Sequence, residues 1–96
     1  MTLKEKKASI KKLEKFGFVK CRGNDYSFLY YYNDIEIMYS YFQRNSKDIY
    51  IFRVDIFFPA GFELRFGEIF YVESVDPEGM LDFVKKMAAA VEFIIT

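Results

Sequence analysis

Three stretches, 26–32, 35–42 and 49–58, place an aromatic or aliphatic residue at every second position, and this restricts the fold more than any other feature of the chain. Successive side chains of a strand point to opposite faces, so a period of two describes a sheet with one buried face. Asn33-Asp34 between the first two stretches is a two-residue hairpin signal. That hairpin sets Tyr32 opposite Ile35, Tyr30 opposite Ile37, Phe28 opposite Tyr39 and Tyr26 opposite Tyr41. A turn at 44–47 predicts that the third stretch returns with Tyr50, Phe52, Val54 and Ile56 against Tyr41, Tyr39, Ile37 and Ile35. All three strands then bury the same aromatic face.

Helices flank this sheet. Residues 3–16 hold good helix formers with no Gly or Pro, and Thr2 with Glu5 forms a capping box. Leu3, Ile10 and Leu13 give it a thin apolar stripe, Gly17 is its C-cap, and 18–22 reads as a short strand before the turn Gly23-Asn24-Asp25. Beyond Pro59-Ala60-Gly61, residues Phe62, Leu64 and Phe66 resume the alternation, with Gly67 as a bulge or second turn before 69–73, in one kinked strand or two short ones. Asp76 caps a helix that Pro77 opens. On it Leu81, Val84, Ala88, Val91 and Ile95 form one apolar stripe, and Met80, Phe83, Met87 and Ile94 a second. So wide an apolar surface predicts packing across the sheet and, through the second stripe, against another copy of the chain as a homodimer. The expected fold is one α+β domain over 1–96: a two-layer sandwich in the order helix, four to six mostly antiparallel strands in a meander, helix, with both helices on the aromatic face.

Composition narrows the chemistry. The chain has no histidine, which removes Ser-His-Asp and Cys-His arrangements, His-ligated metals and a histidine base. Cys21 is the only cysteine, so no intrachain disulfide and no Cys-x-x-Cys zinc site can form, and a reducing compartment is expected. No apolar run reaches membrane-spanning length, and the Lys-rich start lacks the apolar core of a signal peptide. The expectation is a cytoplasmic protein without cofactor or metal, away from membranes and not an enzyme. Phe and Tyr make up 21% of the residues, more than a core this small can absorb.

The opposite sheet face carries Leu29, Tyr31, Met38, Ile51 and Phe57 among Ser27, Glu36, Ser40, Arg53 and Asp55. Tyr, Met, Phe and Arg are enriched at protein interfaces, which makes Tyr31, Glu36, Met38, Arg53 and Asp55 the candidate partner-binding residues. In the expected register Glu36 lies opposite Asp55, an unfavourable pairing of like charges that Arg53 could screen or a cation could occupy. A carboxylate-dependent hydrolase is the third functional reading on that ground.

A net charge of zero hides a segregation: the first 22 residues hold eight Lys or Arg and only Glu5 and Glu14, and the rest of the chain is acidic. Lys7, Lys11 and Lys15 are the candidate nucleic-acid contacts of an alternative reading. The segment 28–33, FLYYYN, lacks the basic residue and glycines of an RNP motif. Residues 10–32, a Lys-rich helix ending in LEKFGF followed by short strands, are similar in outline to HicA-type toxins, small double-stranded-RNA-binding-like mRNA interferases. Asn24 and Asp25 stand where that family's catalytic histidine would be, so the resemblance implies no site residue here. The favoured expectation is a non-catalytic protein-interaction domain, an adaptor, immunity-type protein or inhibitor of the sort mobile elements encode, which binds a protein partner through its acidic, aromatic sheet surface.

Overall fold

The computed structural model describes residues 1–43, 49–58, 67–72 and 74–95. It is an α+β arrangement of two helices and one antiparallel sheet, in the order α1 (Leu3–Phe16), β1 (Val19–Lys20), β2 (Ser27–Tyr32), β3 (Ile35–Gln43), β4 (Tyr50–Phe57), β5 (Gly67–Val72) and α2 (Pro77–Ile95). The strands lie in sequence order, β1-β2-β3-β4-β5, which is the meander that short connections favour.

The helix ends follow their capping residues. The Thr2 hydroxyl accepts from the Glu5 amide and the Glu5 carboxylate accepts from the Thr2 amide, both at 3.2 Å, so the capping box closes in both directions. Gly17 ends α1 at φ 123, a conformation that side chains rarely adopt, and its N–H bonds to Leu13 and Glu14 carbonyls. At α2 the Asp76 carboxylate accepts from the Gly79 amide at 3.1 Å.

The β2–β3 hairpin pairs as its sequence dictates, with Tyr32 opposite Ile35, Tyr30 opposite Ile37 and Phe28 opposite Tyr39. The Tyr41 amide bonds to the Tyr26 carbonyl at 3.0 Å, which continues that register past the end of β2. Asn33 takes the positive φ of the turn, at 53°, a conformation asparagine tolerates better than most residues. β1 is shorter than the 18–22 stretch: Phe18 turns inward to the core, and only Val19 and Lys20 pair, with Leu29 and Phe28.

The β3–β4 pairing corrects the expected one by two residues. Tyr41 lies opposite Phe52, Tyr39 opposite Val54 and Ile37 opposite Ile56, and Gln43 meets Tyr50. β3 runs on to Gln43, so the connection spans 44–49. A shift of two leaves each side chain on its predicted face, whereas a shift of one would have inverted the strand. The observed register sets the large Tyr39 ring against the smaller Val54, with the Tyr39 and Phe52 rings edge to face at 6.3 Å. It also separates Glu36 from Asp55, which now lie opposite Phe57 and Met38.

β5 pairs with β4 in continuous antiparallel register, from Gly67 opposite Phe57 to Val72 opposite Phe52, so Gly67 is the first residue of a strand and not a turn. Phe62, Leu64, Phe66 and the turn at 44–47 lie outside the described residues. The core is one cluster: Phe28, Ile35, Ile37, Tyr39, Phe52, Val54 and Ile56 from the sheet meet Leu13 of α1 and Val84 of α2. Tyr30, Leu81, Met80 and Met87 pack on it half-buried, so the chain covers part of the second α2 stripe itself, while Phe83 remains 39% exposed.

Candidate functional site

Strand parity carries the five partner-binding candidates to the sheet face opposite the core. Cross-strand rows of β2, β3 and β4 on that face are Tyr31, Glu36 and Phe57; Leu29, Met38 and Asp55; Ser27, Ser40 and Arg53; and Phe42 with Ile51. Tyr31, Glu36, Met38 and Arg53 are therefore neighbours on one surface, whereas the Asp55 side chain, on the same face, is buried beneath it and corrects the expectation that it meets a partner directly.

The face is wet at its margins and dry at its centre. Tyr31 is 60% exposed, and its hydroxyl donates to Glu36 Oε1 at 3.1 Å. This bond to the carboxylate raises the phenol's pKa, because losing the proton would set two negative charges together. Phe42 and Phe57 are 42% and 38% exposed. Between these margins Ser27 and Ser40 are buried and share a hydrogen bond of 2.8 Å, and Asp55 is 1% exposed.

Asp55 and Arg53 define the electrostatics of the centre. Arg53 Nε donates to Asp55 Oδ2 at 3.0 Å, and Arg53 lies over the Phe42 ring with its guanidinium carbon 5.8 Å from the centroid. A carboxylate removed from water needs such a partner. Asp55 Oδ1 is buried without a hydrogen bond to a described residue. The carboxylate pair anticipated between Glu36 and Asp55 is replaced by this Arg–Asp pair, because the two-residue shift of β4 sets Met38 across from Asp55. Among the described residues no group of three or more His, Cys, Asp or Glu is arranged to hold a metal ion.

Six lysines of the basic N-terminal stretch divide into two sets. Lys6 lies over the rings of Tyr41 and Tyr50 at 4.6 and 4.4 Å, Lys12 donates to the Val75 carbonyl, and Lys20 pairs with Asp25 at 3.7 Å. Lys7, Lys11 and Lys15 recur every fourth residue along one exposed line of α1 and enter no ion pair among the described residues. Strand parity placed Ser27 and Ser40 on the outer face and would have assigned Phe42 there as well, but it does not show that the two serines are buried. No local signal marks Lys6, whose placement depends on how α1 crosses the end of the sheet.

No protein-family model, no curated protein and no solved structure matches the chain. No helix among the described residues is long and apolar enough to cross a membrane.

Proposed function

We propose that the chain is a non-catalytic interaction domain, of adaptor, immunity or inhibitor type, that docks a protein partner on the outer face of its sheet. The observation that carries this reading is the ring of exposed Tyr31, Phe42 and Phe57 around a dry, polar centre. Interfaces derive most of their energy from a few aromatic and Arg side chains whose surroundings exclude water, and Arg53 between Phe42 and Asp55 is such a group. Glu36 beside Tyr31 gives the margin a negative charge, and the sequence beyond residue 22 is acidic, so the complementary partner presents apolar groups rimmed by Lys or Arg. The lack of histidine and the single cysteine agree with a binding role in a reducing cytoplasm.

The test is affinity capture with three forms of the chain: native, Tyr31→Ala with Glu36→Lys, and Lys7→Gln with Lys11→Gln and Lys15→Gln. A protein retained by the native and Lys-variant forms and lost with the face variant is the expected result. A second reading, nucleic-acid binding, has the exposed line of Lys7, Lys11 and Lys15 in its favour. It requires the opposite pattern, with binding lost in the Lys variant alone.

A further inference from the structure

α2 carries two apolar seams side by side. Leu81, Val84, Ala88, Val91 and Ile95 follow one and Met80, Phe83, Met87, Ala90 and Ile94 the other, each with spacings that alternate between three and four residues. The first is committed to the core, where Val84 is fully buried and Leu81 and Ala88 are half-buried. The second is left partly in water: Met80 and Met87 rest half-buried on the core, but Phe83 is 39% exposed and Ala90 is exposed as well. One seam is enough for a helix that lies on a sheet. A second, with the same alternation, has the period at which one helix packs along another.

The charges beside that second seam are ordered so that the surface complements itself. Asp82 and Lys86 lie on its solvent side, 65% and 77% exposed, and pair with each other at 3.1 Å across one helical turn. An antiparallel helix reverses the order of acid and base. About a two-fold axis beside Phe83 and Val84, each Asp82 therefore comes level with Lys86 of a second copy. The same alignment sets the two Phe83 rings next to each other at the axis and each Met80 level with Met87 of the second copy, apolar group against apolar group. A parallel pairing would instead set acid against acid and base against base, which is unfavourable.

We infer that the chain forms a two-fold homodimer through this seam, with the two α2 helices antiparallel and Phe83 at the axis. None of these residues belongs to the outer sheet face, so the dimer and the docking reading can fail independently. The experiment is sedimentation equilibrium of the full chain from micromolar to millimolar concentration. The average mass should rise with concentration from that of one chain to that of two. Phe83→Glu, at a position water already reaches and checked for a native circular dichroism spectrum, should keep the mass of one chain throughout, because it sets two carboxylates together at the axis. Asp82→Lys and Lys86→Asp should each weaken association by about tenfold, and an equimolar mixture of the two should recover it, since each supplies the charge the other lacks. The dimer is overturned if the native chain keeps the mass of one chain at millimolar concentration, if Phe83→Glu associates as tightly as the native chain, or if the mixture associates no better than either charge variant alone.

Discussion

Arg53 and Asp55 are a pair of unequal burial, 35% against 1% exposed at the side chain, and that inequality makes their replacement asymmetric. Arg53→Gln leaves a buried carboxylate without its partner, a change of the kind that costs about 3–5 kcal/mol. Asp55→Asn leaves a guanidinium that water can reach and removes the charge from the buried Oδ1, so it should cost about 1 kcal/mol. Urea unfolding of the two variants measures the difference, and equal losses would mean that the pair does not sit as described. Phe52, fully buried in the centre of the core, gives the reference: Phe52→Ala should cost about 3–5 kcal/mol. Burial pushes the Tyr39 phenol well above its usual range, and the Asp76 charge adds to the shift. An acid with a raised folded-state pKa favours the folded state below the unfolded-state value and loses that contribution as pH climbs from the ordinary tyrosine value, about 10, toward the folded one. Tyr39→Phe should therefore move the alkaline unfolding midpoint upward, and an unchanged midpoint would contradict this cause.

At the scale of elements, the two helices and the first hairpin were legible because each carries its own punctuation. Thr2 and Glu5 open α1, Gly17 closes it, Asp76 and Pro77 open α2, and Asn33 places the turn. Gly17→Ala should cost about 1–2 kcal/mol, since φ 123 is strained for any Cβ and the added atom would meet the Tyr30 ring at 3.4 Å. Thermal denaturation checks that value, and a neutral substitution would show that the turn relaxes freely. The β3–β4 register was not legible, for a physical reason. Period-two alternation fixes which face a side chain takes but is indifferent to a slip of two residues, and 44–49 holds no two-residue turn to break the tie. Packing of Tyr39 against Val54 and avoidance of a Glu36–Asp55 confrontation decide it, and both depend on partners distant in sequence. The same holds for the candidate surface: parity placed Tyr31, Glu36, Met38, Arg53 and Asp55 together, but the burial of Asp55 and the guanidinium on Phe42 emerge only from the folded sheet.

For the whole molecule, a basic α1 precedes an acidic sheet and C-terminal half, and the central claim assigns function to the aromatic outer face and not to the lysines. Nucleic-acid binding would leave a clear electrostatic trace, because each phosphate contact releases counterions and lowers log affinity with log salt by about 0.7 per contact on single strands. The account predicts no such binding that disappears in the Lys7→Gln, Lys11→Gln, Lys15→Gln variant. The most direct measurement is quantitative capture of a protein partner by the native chain, by that Lys variant and by the Tyr31→Ala, Glu36→Lys variant, each first shown to be folded. The account predicts that one partner protein is held equally by the first two and lost by the third. Retention by the face variant together with loss in the Lys variant would contradict it.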